Sequence, residues 1–433
     1  MTYHIITIGC QMNKADSERI ASFLEDNFYK NQDDWHKAKL IILTTCGIRQ
    51  SAEDRVYGLV GRMRKFNPKA KIVITGCLAN RKDVQKRLKS MVDLFMPINE
   101  LPNLLDLLKK CSPDKTLSTE ELRKISGEKY LTIQPKYESN FSAYIPIGNG
   151  CNNFCSYCVV PYARGREVYR PAADIMAEAR GLIKRGYKEI ILIAQNVNSY
   201  KSAKTDFPRL LKRLANIPGD FWLRFSSSHP KDLSDDLIAV LASSPKICDH
   251  LHVAVQSGDD NILKAMNRKY TAVHFQSLIK KIRKNKPGIS ITTDAIVGFP
   301  GETKKQFQNT VRLFKDMDFA MAYISQYSPR PGTVSWNMKD NVTKTEKKRR
   351  EKVLTEIIEK SGNKINKTYL GREIKVLAEG MNKRNKYYGK TSSFKTIRFT
   401  AIKDINPEEV IGNFVQVKIQ KVDKNNLEGI LTK

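Results

Sequence analysis

No apolar run in the 433 residues approaches the roughly 18 to 20 that a bilayer span needs; the best candidates, Leu40–Leu43 and Lys188–Ile193, are strand-sized. Cysteine is scarce as well, 8 in the whole chain, too few for a disulfide scaffold. In a reducing compartment grouped thiols are metal ligands more often than bridges. Acidic residues fall short of basic ones, 45 against 75, for a net charge of +30. Such an excess speaks to partners and not to fold, nucleic acid first, with anionic lipid or a solvated face as the alternatives. The N-terminus, Met1 to Gly9, lacks a basic n-region and a long apolar h-region, so it reads as a first strand. A cytoplasmic protein with no membrane attachment is expected.

What is present suits a globular α/β chain. Hydrophobic residues make up 41%, which excludes disorder throughout, and the length fits two or three domains. In the first hundred residues an apolar, β-branched run ending at a cysteine and followed by a helix-like stretch occurs three times: His4–Cys10, Leu40–Cys46 and Lys71–Cys77. Alternating strands and helices predict a parallel sheet, with ligands beyond the carboxyl ends of its strands. Residues 109–138 are polar and read as a connecting segment. From about 141 to 335, strand-like runs at Tyr144–Ile147, Ile190–Ala194, Trp222–Phe225, His250–Val255, Ile289–Val297 and Ala320–Ser325 alternate with helix-like ones. They predict a partial or full βα barrel with its site at the C-terminal strand ends. Residues 339–367 form a basic amphipathic helix, and 370–433 a small all-β barrel. The expected units are 1–135, 136–367 and 368–433.

Cys151-Asn-Asn-Phe-Cys155-Ser-Tyr-Cys158 is the most specific signal. Iron–sulfur clusters take thiolate ligands, normally four, and three from one loop leave one iron open for chemistry. A zinc site, or a closed electron-transfer cluster with a distant fourth ligand, are the other readings. Singly, Cys10, Cys46 and Cys77 read as small buried hydrophobes; their recurrence at three equivalent strand ends favours a joint role.

The triplet after the first strand of a βα repeat resembles the radical S-adenosylmethionine superfamily. Gly9-Cys-Gln-Met-Asn13, Thr45-Cys-Gly-Ile-Arg49, Thr75-Gly-Cys-Leu78, Cys158-Val-Val-Pro-Tyr-Ala-Arg-Gly165, Gln195-Asn-Val-Asn-Ser-Tyr200, Arg224-Phe-Ser-Ser-Ser-His-Pro230, Val255-Gln-Ser-Gly-Asp259, Val297-Gly-Phe-Pro-Gly-Glu302 and Tyr327-Ser-Pro-Arg-Pro-Gly-Thr333 extend the resemblance to its methylthiotransferases over essentially the entire chain. It implies an N-terminal methylthiotransferase domain, a central radical domain and a C-terminal TRAM domain that binds RNA. It also implies two 4Fe–4S clusters, one on Cys151, Cys155 and Cys158 and one on Cys10, Cys46 and Cys77, with S-adenosylmethionine as radical source and methyl donor. Gly47 stands where that family usually has serine, and Asn149 where glutamate is common.

The resemblance implies that Tyr157 packs near the cofactor adenine and that Gly298 lies on a cofactor-contacting strand. Gln195, Asn196, Arg224 and Gln256 are polar residues at predicted strand ends, where barrels of this kind place catalytic groups; structural hydrogen bonding is the alternative for each. Cys111 and Cys248 read as structural thiols, and His250 and His252 as hydrogen-bonded residues sharing one strand face. His229, in the Ser-His-Pro turn, is open to a site role. The basic and aromatic run Lys383 to Arg398 suits RNA phosphates and bases. The implied reaction is methylthiolation of carbon 2 of isopentenyl-adenosine beside the tRNA anticodon. The implied partners are the tRNA anticodon loop, an electron donor such as a flavodoxin or ferredoxin, and a sulfur donor, with a monomer expected. The alternatives are methylthiolation of threonylcarbamoyl-adenosine or of a ribosomal protein, and a non-catalytic iron–sulfur regulator that binds RNA.

Overall fold

The computed structural model describes residues 1–47, 50–110, 129–401, 405–423 and 426–432; most of the connecting segment, with Cys111, lies outside them. At the N-terminus the runs Leu-Ile-Ile-Leu-Thr-Thr and Lys-Ile-Val-Ile-Thr-Gly are too apolar on both faces for a half-exposed sheet, and they sit in the middle of a parallel one. Strands β1 (Thr2–Thr7), β2 (Lys30–Asn31), β3 (Leu40–Thr45), β4 (Lys71–Gly76) and β5 (Leu94–Phe95) take the order β2-β1-β3-β4-β5, all parallel. Side-chain alternation divides the core: Leu40, Ile42 and Val73 pack on one face, Ile41, Leu43, Ile72 and Ile74 on the other. The two-residue strands β2 and β5 go beyond the three repeats read from the sequence.

The central region has β6 (Ser142–Pro146), the paired β7 (Gly148–Asn149) and β8 (Val168–Tyr169), β9 (Glu189–Ile193), the hairpin β10 (Lys201–Ser202) and β11 (Thr205–Asp206), β12 (Trp222–Phe225), β13 (His250–His252), β14 (Ser290–Val297) and β15 (Met321–Gln326). Parallel pairing joins β6, β9 and β12 into one sheet and β13, β14 and β15 into another. Parallel bridges Leu223↔Ile247 and Ser228↔Val253 connect the two. The result is a six-stranded partial barrel. Ile145, Ile190, Leu192, Leu223, Phe225, Leu251, Ile291 and Val297 point outward onto the helices. The inward-facing Tyr144, Ile191 and Ile193 are covered by Met12 and Ala15 of the helix Gln11–Asp26. The N-terminal unit thus packs into the lumen of the central one.

The helix Lys344–Lys367, with the Thr343 hydroxyl accepting the Glu346 N–H at its start, leads to β16 (Glu373–Met381), β17 (Tyr387–Thr391), β18 (Thr396–Thr400), β19 (Phe414–Val422) and β20 (Leu427–Leu431). These close a barrel in the order β16-β17-β18-β20-β19 around Val376, Ile397, Phe399, Val417 and Leu427. It docks on the N-terminal strand ends of the central barrel. Trp222 meets Phe414 at 4.6 Å between ring centroids and His250 stacks on Phe394 at 4.8 Å; Ser392 donates to Asp249 and Lys375 pairs with Asp220.

Candidate active site

The loop after β7 is fixed by backbone geometry. Gly150 has φ +86°, and a Cβ there would lie 2.1 Å from the Arg166 carbonyl oxygen, so only glycine fits. Its N–H donates to Gln195 Oε1 at 2.6 Å, and the Cys151 N–H to the Gly165 carbonyl at 3.1 Å. A turn follows in which the Cys158 N–H donates to the Cys155 carbonyl at 2.9 Å. Between them Ser156 is tied down by three bonds: its N–H to Met266 O, its Oγ to Ala265 O, and its carbonyl from the Ser335 N–H. Asn267 Nδ2 holds the Phe154 carbonyl at 2.8 Å. Cys151 and Cys155 are buried and Cys158 half-buried. Burial pushes the Cys151 thiol up to about 11 and the Cys158 thiol further, so loading a metal here must release protons.

Arg268 faces this loop and was passed over in the sequence. Its Nη1 lies 3.5 Å from Cys155 Sγ, Nη2 donates to the Ala254 carbonyl at 2.6 Å and Nε to the Tyr270 hydroxyl at 2.8 Å. A buried guanidinium is thus aimed at one of the three sulfurs. One arginine among 75 basic residues carries no signal of its own; the spacing from Arg268 to Tyr270, which share that contact, was the only hint.

Cys10, Cys46 and Cys77 follow β1, β3 and β4, three neighbouring strands. A Cβ built on Gly9 would stand 3.1 Å from Cys46 Cβ, and one on Gly47 3.2 Å from Cys77 Cβ, so the sheet gathers the three at one edge. The Gly47 position also lies 3.3 Å from a methyl of Val159, the residue after Cys158. The two cysteine groups therefore face one another across the domain boundary. Among the described residues no three His, Cys, Asp or Glu side chains converge tightly enough for a single metal ion. A cluster spreads its ligands over several irons, and an all-thiolate donor set is the one that selects it. Both groups fit.

Tyr157 sits half-buried among Ile262, Met266, Phe299 and Tyr327. Asn196, at the end of β9, donates to Asp232 at 2.7 Å, while its buried Oδ1 has no partner. Gln256 takes φ +68°, a left-handed conformation that costs a non-glycine residue on the order of 1 kcal/mol; its N–H donates to the Asp294 carbonyl and its own carbonyl accepts from the Ile296 N–H. Gly298 donates its N–H to Glu302 Oε2 at 2.7 Å, and a Cβ would strike Lys347 Cγ at 2.4 Å; packing accounts for this glycine. His229 accepts the Lys231 N–H and meets Tyr270 edge-on, and burial drops it to about 2, so it is neutral. His250 and His252 share Thr292 Oγ1 at 2.9 and 3.0 Å. Cys248 is buried against Trp222 and Leu377.

The structure does not bring Arg224 to the cysteines. It pairs with Glu189 at 2.9 Å and donates to the carbonyls of Ser392 and Thr391, both at 3.1 Å. Each of its three nitrogens donates, one to Glu189 and two to the C-terminal barrel where it docks. In that barrel Lys383, Arg384, Tyr388 and Arg398 are exposed, whereas Lys390 pairs with Glu379 and Lys395 donates to the Ala320 carbonyl.

Comparison with known proteins supplies the last element. Residues 145–314 match the radical SAM superfamily, 2–96 an uncharacterized protein family, UPF0004, and 367–432 the TRAM domain. Among curated proteins the chain is similar to the tRNA-2-methylthio-N(6)-dimethylallyladenosine synthases of Thermoanaerobacter sp. (strain X514), 40% identical over 99% of this chain and 92% of the relative, and of Carboxydothermus hydrogenoformans, 40% over 99% of both. Among solved structures it is similar to the radical S-adenosylmethionine methyltransferase TsrM from Kitasatospora setae, described with cobalamin and a [4Fe-4S] cluster bound. The TM-score is 0.55 at 15% identity, over 77% of this chain and 76% of that one, a likeness of fold.

Proposed function

The chain belongs to the family of the tRNA-2-methylthio-N(6)-dimethylallyladenosine synthases, and we propose that it adds a methylthio group to carbon 2 of the isopentenyl-adenosine beside the anticodon of tRNA. The observation that carries this reading is identity of 40% across 99% of the chain, in a sequence that keeps both cysteine groups. Enzymes of this family use S-adenosylmethionine and 4Fe–4S clusters, and this one is such a transferase.

In the proposed site Cys151, Cys155 and Cys158 hold one cluster and Cys10, Cys46 and Cys77 the second. When bound, the first cluster and S-adenosylmethionine supply the hydrogen abstractor that an aromatic C–H bond demands and that no polar side chain can provide. The chain's own part is positioning. Gln195 fixes the cysteine loop through the Gly150 N–H, Tyr157 offers an aromatic wall, and Asn196 keeps a free buried acceptor at a strand end. Gln256 and Gly298 stand on the proposed cofactor side; Arg224 is left out, since each of its nitrogens donates elsewhere.

The TRAM unit offers exposed Lys383, Arg384, Tyr388 and Arg398 to RNA, cations for phosphate and a ring for stacking. We further propose working units at 1–135, 136–367 and 368–433, a one-electron donor of the flavodoxin or ferredoxin kind, an external sulfur donor, a monomeric state and a cytoplasmic location. Among the described residues no helix is long and apolar enough to cross a membrane.

Nucleoside mass spectrometry of tRNA from a methylthiotransferase-null host expressing the chain tests the reaction. Appearance of 2-methylthio-N(6)-dimethylallyladenosine is the expected result. Persistence of the isopentenyl form alone, with both clusters loaded, overturns it.

A further inference from the structure

The helix Val160–Arg164 begins two residues after Cys158, so the cysteine loop fixes one of its ends. From the rest of it contacts run to the other cysteine group, one for each member. Arg164 Nη2 donates to Asp16 at 2.7 Å and to Asn13 Oδ1 at 3.3 Å, and that same Asn13 oxygen accepts from Cys10 Sγ at 3.5 Å. Val159, at the helix start, lies against Gly47, the neighbour of Cys46. The Ala163 carbonyl accepts Asn80 Nδ2 at 3.0 Å, three residues beyond Cys77. Arg164 also holds its own loop through Asn149 Oδ1 at 3.0 Å. The Arg164 and Asp16 side chains are each 2% exposed, and Cys10 and Cys77 both lie within the electrostatic reach of the guanidinium.

A buried ion pair across a domain boundary is a poor way to gain stability, because desolvation offsets most of the attraction. A buried cation beside two of the thiolates has a clearer use: it balances the negative charge that a thiolate-ligated cluster brings to the site. We propose that Val160–Arg164 is the strut that keeps the two cysteine groups in register, and that Arg164 is a positioning residue for the Cys10, Cys46 and Cys77 site although it belongs to the loop of the other. The inference rests on the reading that both groups carry clusters.

The test uses the full-length reconstituted protein. Removing Arg164 alone strands Asp16, so the informative variant is Arg164→Gln with Asp16→Asn, which keeps the shape and removes both charges. Iron content and the electron paramagnetic resonance signal are read for each site separately, with the other site's three cysteines changed to alanine. The expected result is a reshaped signal, or at least a twofold loss of iron, at the Cys10, Cys46 and Cys77 site, with the Cys151, Cys155 and Cys158 site unaltered. With all six cysteines present, methylthiolated tRNA should fall at least tenfold more than 5′-deoxyadenosine in the double variant, with partial recovery in Arg164→Lys. Unchanged spectra at the Cys10, Cys46 and Cys77 site, or equal damage at both sites, overturns the proposal. Should the double variant melt well below the wild type, Asn80→Ala carries the test, since it removes only the bond to the Ala163 carbonyl; a wild-type signal there likewise overturns it. A wild-type enzyme that makes no methylthiolated tRNA sinks the proposed reaction, while the spectra still decide the strut.

Discussion

Eight residues of one loop supply Cys151, Cys155 and Cys158, whereas Cys10, Cys46 and Cys77 come from three strands and stand 36 and 31 residues apart. The loop is held by bonds that its own backbone makes to Gln195, Met266 and Ser335 and by the Ser156 hydroxyl, which donates to the Ala265 carbonyl. In the strand-end group the Cys77 N–H donates to the Thr45 carbonyl at 2.9 Å and the Cys10 carbonyl accepts the Lys14 N–H at 3.2 Å, and the three are brought together by the register of β1, β3 and β4 and by the helix from the neighbouring domain. A local site is robust to distant change and exposed to changes in the loop. An assembled site inherits every weakness of the sheet beneath it.

The sharpest way to separate the two is to remove one cysteine from each. Cys155→Ala should abolish 5′-deoxyadenosine formation outright, while Cys46→Ala should keep part of it and yield no methylthiolated product; chromatography of both products from one reaction decides, and equal product formation by Cys46→Ala would end its assigned role. Next in size is Leu43→Ala, under the end of β3 and fully buried. The cavity should cost about 2–5 kcal/mol and strip iron from the strand-end site while the loop site keeps its own, as read by thermal melts and iron per chain. Arg268→Gln should do the reverse on a smaller scale, shifting the reduction potential of the loop site alone, because hydrogen bonds to ligand sulfurs set cluster potentials; potentiometry that finds both sites moved, or neither, would count against it.

The smallest effect concerns Glu18, on the helix that carries Asn13 and Asp16. Burial raises its carboxyl from 4.5 to about 7, and its Oε2 has no partner. The folded state therefore favours the protonated form. The contribution is fully present below about pH 4.5 and is lost as the pH rises through about 7. Glu18→Gln should flatten that fall and raise stability at pH 8 by on the order of 1 kcal/mol, allowing for its partial exposure. Urea midpoints across pH 4 to 8 would show it; parallel curves for variant and wild type would contradict it.

The β-branched runs of β3, β4 and β9 are legible in the sequence because burial on both faces leaves a near-continuous apolar signature. So is the Cys151 to Cys158 spacing, which needs no tertiary information. Strands β17 and β20 are not: Tyr-Tyr-Gly-Lys-Thr and Leu-Glu-Gly-Ile-Leu are short and half polar, and only barrel closure makes strands of them. Arg224 shows a different limit. Strand alternation tells that it points inward, but which end of the barrel it serves depends on a second domain, through the carbonyls of Thr391 and Ser392, 167 and 168 residues further along. The same docking turns Phe394 and Lys395 away from the surface their composition suggested. Arg164 stood inside a quoted motif, yet its partners Asn13 and Asp16 lie about 150 positions away.

The docking of the C-terminal barrel also makes the molecule a gauge. The loop 391–395 grips the N-terminal strand ends of the central barrel, and the exposed Lys383 and Arg384 lie in the turn at the opposite end of β17, about 15 Å away at 3.3 Å per residue. The cysteines lie beyond the other end of the central strands, of which β14 runs eight residues, or roughly 25 Å. An RNA that grips the turn and presents a base to the cysteines is measured by this frame. On the proposed reading reach, as well as base identity, would decide which nucleotide is offered, and a fragment trimmed below that span would forfeit one contact or the other.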